Sequence, residues 1–148
     1  FTVETVNELR DTIWAMNKDN ISLGDLQARL AGLIAKAKSA CPQINFELEI
    51  PDDLEMDLLL NSMEGVNYYR VAQEALNNAI KHSGASQIKI VFSNHNEQIR
   101  VCIEDNGKGI HQAGIGNGLA NMRNRAERIG RELKIESALG QGTQVCIF

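Results

Sequence analysis

The run "RVAQEALNNAIKHS", residues 70–83, sets Glu74, Asn78, Lys81 and His82 within nine positions. At about 100° per helical residue, Glu74, Asn78 and Lys81 fall on one face with His82 at its edge. Ala72, Leu76, Ala79 and Ile80, joined by Tyr69, form the apolar face opposite. A carboxylate and a carboxamide one turn apart offer oxygens to a hard cation such as Mg²⁺. An ammonium and an imidazole beside them offer charge and N–H donors to phosphate oxygens. The same four residues also make an ordinary solvated face, and the helix alone does not decide between the two.

Three glycine turns follow. "DNGKG", Asp105 to Gly109, comes directly after a strand-like run; Asn-Gly is also a plain turn signal. "GIGNGL", Gly114 to Leu119, precedes a helical pattern, where free N–H groups and missing side chains suit an anion. A flexible connector has the same composition. "GQGT", Gly140 to Thr143, precedes the last strand and taken alone reads as a tight turn between strands. The dinucleotide pattern G-x-G-x-x-G fails at Leu119, and no P-loop pattern occurs.

These residues need a scaffold, and 148 residues suffice for one well-buried domain. A net charge of −4 argues against nucleic-acid or anionic-membrane binding. No apolar run approaches the roughly 20 residues that span a bilayer. Cys41, Cys102 and Cys146 lack C-x-x-C spacing. With no signal-peptide pattern they read as reduced thiols, Cys102 and Cys146 serving as buried packing in strands. The chain opens on Phe1, and we read it as a piece of a longer protein.

Val6, Leu9, Ile13 and Met16 form a two-heptad seam on a leading helix, with Trp14 as a packing anchor. Ser22 and Asp25 predict a capped helix that Cys41-Pro42 stops. Residues 44–50 alternate as a strand, and Pro51 breaks it. "LEMDLLLNSMEGVNYY" reads as helical, running into the Glu74 helix. Residues 86–93 and 98–104 are strands about a short turn holding His95. Residues 116–130 hold a helix, and 132–137 and 143–148 are the last strands. The class is α+β, a two-layer sandwich with a mixed, mostly antiparallel sheet of about five strands and helices on one face. Residues 1–20 form an appended element and 21–148 the domain.

Taken in order, E-x-x-x-N-x-x-K-H, D-x-G-x-G, G-x-G-L and G-x-G-T resemble the GHKL ATPase superfamily of gyrase, a heat-shock chaperone, histidine kinases and MutL. "QEALNNAIKHS" and "GNGLANMRNRAERIG" resemble the ATP-binding domain of sensor histidine kinases, of the nitrate-sensor and desaturase-regulator type. The resemblance covers roughly residues 44–148. "LRDTIWAMN" is similar to the end of the dimerisation helix and linker in such kinases.

The resemblance implies ATP and Mg²⁺ as ligands. Asn78 would hold the metal through its carbonyl oxygen. Glu74 would hold a metal-bound water or polarise the attacking group. Lys81 and His82 would meet phosphates. Asp105 would select adenine, because a carboxylate accepts from the exocyclic amine and repels the guanine oxygen. Gly107 and Gly109 would let the backbone approach the base, with Thr143 supporting that contact. Gly116, Gly118 and Leu119 would belong to the phosphate lid, and Ile110 and Leu119 would pack near the adenine or ribose. Arg123, Arg125 and Arg128 read as a solvated face, and His111 as an exposed lid residue.

The activity implied is that of a protein histidine kinase, passing the γ-phosphoryl group to a histidine on the parent's own dimerisation domain and then to a response regulator. The parent would be a homodimeric, membrane-anchored bacterial sensor, with this domain in the cytoplasm. None of the three histidines here precedes an acidic residue, so the acceptor motif is absent from this chain. Gly130-Arg131 stands where such kinases often have Gly-Gly. Two alternatives remain: another GHKL ATPase such as an anti-sigma serine kinase, or a degenerate nucleotide-binding interaction module.

Overall fold

Ser22 and Asp25 cap each other. The Ser22 hydroxyl accepts from the Asp25 N–H at 3.0 Å, and the Asp25 carboxylate accepts from the Ser22 N–H at 3.1 Å. The first long helix therefore begins where the capping pair predicts. The computed structural model describes residues 2, 5, 6, 9, 20–95, 98–109 and 118–148, with the side chain of residue 95 left out. Its elements are β1 (Asn20–Ser22), α1 (Leu23–Ala40), β2 (Asn45–Glu49), β3 (Leu59–Asn61), α2 (Ser62–His82), β4 (Gln87–His95), β5 (Gln98–Asp105), α3 (Gly118–Arg128), β6 (Leu133–Ala138) and β7 (Gly142–Ile147).

Five strands form one sheet in the order β2-β4-β5-β7-β6. β2 runs parallel to β4, and every other neighbouring pair is antiparallel. Alternation sorts the strand residues between two faces. Ile88, Ile90 and Phe92, Ile99, Val101 and Ile103, and Val145 and Ile147 join one buried cluster with Leu30, Tyr68, Ala72, Leu76 and Met122 of the helices. One face of the sheet thus carries the helices, giving the two-layer α+β sandwich that the pattern predicts. Phe92 is fully buried there, and its truncation to alanine would cost about 3–5 kcal/mol. The Tyr68 hydroxyl ties the layers, donating to the Ile99 carbonyl at 3.0 Å.

The segment read as continuous helix before residue 62 is not helical throughout. Leu59–Asn61 is a short strand paired antiparallel with β1, Ile21 opposite Leu60. Burial of Ile21 and Leu60 in that pairing outweighs the helical preference of three consecutive leucines. Asn61 then caps α2, its side-chain oxygen accepting from the Glu64 N–H at 2.8 Å. Further along, Arg131, at the Gly-Gly departure, pairs with Glu64 at 2.7 Å and ties the approach to β6 to the first turn of α2.

The thiol assignment also changes. Cys102 and Cys146 face each other across the β5–β7 ladder and are joined as a disulfide; Cys41 is free. Of the leading seam, Val6 and Leu9 are helical and partly exposed. Ile13, Trp14 and Met16 lie outside the described residues. Among the described residues no helix is long and apolar enough to cross a membrane.

Candidate functional site

α2 is long because its apolar face is continuous: Tyr68, Tyr69, Val71, Ala72, Ala75, Leu76 and Ala79 are all buried. That burial fixes the rotation of the helix and so places its polar residues. Glu74 and Asn78 are half-buried, while Lys81 and His82, in the last turn, are exposed. The Asn78 carboxamide nitrogen is buried and has no hydrogen-bond partner among the described residues. A buried amide donor without a partner costs free energy, and an acceptor brought against it would recover that cost.

The helix ends at Ser83, whose hydroxyl bonds back to the Ala79 carbonyl and accepts from the Ala85 N–H. The "DNGKG" turn is clamped onto this end. Lys108 donates its N–H to the Ser83 carbonyl at 2.9 Å. Asn106 accepts from the N–H groups of Ser86 and Gln87, both at 3.0 Å, and donates to the Ser86 hydroxyl at 2.9 Å. The turn after β5 is therefore fastened to the end of α2 and the start of β4.

Asp105 ends β5 opposite Thr143 of β7. Its carboxylate accepts from the Gly107 N–H at 2.9 Å. Burial pushes the carboxyl above the usual carboxylate range, and N–H donation from Gly107 and Thr143 offsets part of that rise. The Thr143 hydroxyl lies 3.0 Å from that of Ser137 on β6. A cavity of about 460 Å³ opens here, lined in part by Asp105, Ser137, Gly142 and Thr143. Ser137 carried no motif, and only the β6–β7 register brings it to Thr143.

The glycines have a packing reason of their own. A β-carbon at Gly107 would overlap the backbone of Ser83, and one at Gly142 would overlap the Asp105 carbonyl. At Gly109, with φ +88°, it would stand 2.6 Å from the Ala138 carbonyl oxygen. The close approach that removes these side chains is to the protein's own backbone, which holds the Asp105 turn against α2, β6 and β7. Gly118 is buried at the first residue of α3, and Leu119 beside it packs on the core. Ile110, His111, Gly114 and Gly116 lie outside the described residues.

Among the described residues no three His, Cys, Asp or Glu side chains gather as a metal site. Glu74 and Asn78 supply two oxygen-bearing groups one turn apart on α2. That is too few for a protein-only cage and fits Mg²⁺, which keeps water and phosphate oxygens in its shell. Neighbouring Lys81 and His82 match the phosphates that would complete it.

A sequence model of the family described as "Histidine kinase-, DNA gyrase B-, and HSP90-like ATPase" matches residues 64–148. The nitrate/nitrite sensor protein NarX of Escherichia coli K12 is 26% identical over 97% of this chain and 26% of its own length. The sensor histidine kinase LiaS of Bacillus subtilis is 35% identical over 68% of this chain and 29% of its own. The chain thus spans about a quarter of the length of these relatives. Among solved structures, the histidine kinase domain of a blue-light-activated kinase from Erythrobacter litoralis superposes with a TM-score of 0.69. It is 23% identical, covering 86% of this chain and 60% of that one. The ATP-binding domain of PrrB from Mycobacterium tuberculosis gives 0.66 at 20% identity, covering 87% and 95%.

Proposed function

Because the chain belongs to the histidine kinase-, DNA gyrase B- and HSP90-like ATPase family, we propose that it is the ATP-binding catalytic domain of a two-component sensor histidine kinase. The observation that carries this reading is the clamp between two polar surfaces. The turn that holds Asp105 is fastened at Ser83 to the end of the helix that bears Glu74 and Asn78. Base and phosphates of one nucleotide would bridge the two.

Asp105 accepts a hydrogen bond from the adenine amine, and the Gly107 N–H keeps its carboxylate in place. Thr143, bonded to Ser137, supports that contact. Asn78 would hold the metal through its carboxamide oxygen. Lys81 and His82 would draw on phosphate oxygens; by the family resemblance Gly116, Gly118 and Leu119 would belong to the lid, and Ile110 and Leu119 would meet the base or ribose. Mg²⁺, when bound, neutralises charge on the phosphoryl oxygens. Glu74, one turn before Asn78, either polarises the attacking imidazole or holds a metal-bound water. Catalysis here is positioning and charge stabilisation.

The acceptor histidine lies on the parent's dimerisation domain, in a homodimer, and a response regulator receives the phosphoryl group from it. Residues 1–20 supply the end of the dimerisation helix and its linker; residues 21–148 supply catalysis. The parent is a membrane-anchored sensor with this domain in the cytoplasm. The test is transfer in trans. This chain, Mg²⁺ and γ-labelled ATP should label a separately made dimerisation domain in an acid-labile, base-stable form. Label confined to this chain, or acid-stable label on serine, would overturn the assignment.

A further inference from the structure

The face of the sheet turned away from the helices carries a feature the nucleotide site does not use. Cys102 and Cys146 sit opposite each other on β5 and β7, with Cα atoms 4.1 Å apart. Val91 and Lys134 flank them on β4 and β6. Both cysteines are buried, Cys102 4% and Cys146 1% exposed, and neither belongs to the cluster packed between sheet and helices. Arg100, two residues earlier on β5, lies against the pair with Nη2 3.6 Å from the Cys146 sulfur. Its guanidinium stacks over the Phe148 ring at 5.2 Å, and its Nε is buried with no hydrogen-bond partner among the described residues.

We propose that Cys102 and Cys146 form a reversible thiol–disulfide site, with Arg100 activating Cys146 as its nucleophile. The ladder holds the two sulfurs in bonding position whether or not they are joined, because the strands on both sides of the rung stay paired. Ring closure is then intramolecular and strongly favoured over a second external thiol. In the reduced state the fixed positive charge beside Cys146 favours its thiolate. The contact given for the guanidinium is with the Cys146 sulfur, which makes the two thiols unequal.

The exchange partner is a low-molecular-weight disulfide such as glutathione disulfide. The Cys146 thiolate attacks one of its sulfurs, the external S–S bond breaks, and one glutathione thiolate leaves. The Cys102 thiol loses its proton and attacks the Cys146 sulfur of the mixed disulfide, expelling the second glutathione thiolate. Two electrons pass to the oxidant, two protons are released and one protein disulfide forms; a dithiol reverses each step. In a compartment where glutathione keeps thiols reduced, the site rests open and closes under oxidation.

Closing it joins positions 44 residues apart in sequence. The enclosed loop contains the Asp105 turn, α3 and β6, and the bond clamps β5 to β7 three residues from the Asp105–Thr143 rung. The oxidised chain should therefore melt higher than the reduced one by roughly 5–15 °C.

The folded chain, fully reduced, is incubated with glutathione disulfide, quenched with an alkylating maleimide and weighed by mass spectrometry. One alkylation, on Cys41, and a lost pair of hydrogens are expected. The capture rate should rise with pH as the Cys146 thiolate forms; Arg100→Gln should slow it about tenfold near neutral pH, and Arg100→Lys should restore part of it. Three alkylations on a chain kept folded in oxidant would overturn the site. An Arg100→Gln profile matching wild type would overturn the activation. These readouts need no nucleotide, so they stand apart from the ATP assignment. Cys102→Ser, if it folds, should trap glutathione on Cys146; trapping elsewhere contradicts the order of attack.

Discussion

Gly107 sits so tightly against Ser83 that a β-carbon would overlap the Ser83 carbonyl, to which the next residue, Lys108, donates its N–H at 2.9 Å. One glycine thus lets the Asp105 turn close on the end of α2. Gly107→Ala should open that junction. The expected cost is about 1–3 kcal/mol, lowering Tm by roughly 3–10 °C and weakening ATP binding as well. Gly32→Ala is the contrast. Gly32 lies inside α1 with open space around it, so alanine there should raise stability by about 0.5–1 kcal/mol. Thermal melts of both variants check the pair.

Asp105→Asn separates recognition from stability. Asparagine can present a donor to the donating adenine amine, a mismatch of about 1–3 kcal/mol, or roughly 5- to 150-fold in Kd. Stability moves the other way. Because the folded state raises the Asp105 pKa, its protonated form is favoured by folding. That contribution is present in acid and lost as pH rises through the raised value. At neutral pH the ligand-free Asp105→Asn chain should therefore melt at or above wild type, and the difference should close below the ordinary carboxylate range. Adenine binding to wild type needs the carboxylate, so its acid limit should lie above that range. A ligand-free variant that melts well below wild type at pH 7 would contradict the account of Asp105.

Arg131 and Glu64 form a half-buried ion pair at 2.7 Å. Arg131→Gln and Glu64→Gln should each cost about 1–2 kcal/mol, between the values for exposed and buried pairs. A double-mutant cycle by urea unfolding should show coupling of about 1 kcal/mol. Nucleotide affinity should be unchanged, since neither residue reaches the proposed site.

Glu74 and Asn78 should part company kinetically. Asn78→Ala should remove most of the Mg²⁺ dependence of ATP binding and abolish transfer to the acceptor domain. Glu74→Gln should leave the ATP Kd within about threefold while lowering the transfer rate 10²- to 10⁴-fold if Glu74 polarises the imidazole. Equal losses in binding and transfer would place Glu74 on the metal water instead. Calorimetry with and without Mg²⁺, alongside single-turnover labelling, reads both.

Local order was legible where residues signal it alone. Ser22 and Asp25 announce a capping box and form one. The alternation in β4 and β5 predicts both strands, and the ordered polar and glycine motifs point to the nucleotide site before any contact is known. Partners distant in sequence were not legible. Leu58, Leu59 and Leu60 read as helix because nothing nearby reveals β1 as their partner, although Asn61 and Glu64 carry a visible cap signal. Cys102 and Cys146 have no telling spacing, and only the β5–β7 register joins them. The same register brings Ser137 to Thr143. The resemblance gives Gly107 and Gly109 room for the base; the structure adds that Gly107 leaves room for Ser83 and Gly142 for Asp105, contacts that only the folded chain shows.

The central claim is that one nucleotide, an adenine nucleotide, bridges the Asp105 turn and the Asn78 helix. Its most direct measurement is calorimetric titration of the chain with ATP and with GTP in Mg²⁺. The account predicts one ATP per chain, GTP weaker by at least tenfold, and loss of that preference in Asp105→Asn. Equal affinity for the two nucleotides, or ATP binding untouched by both Asp105→Asn and Asn78→Ala, would contradict it.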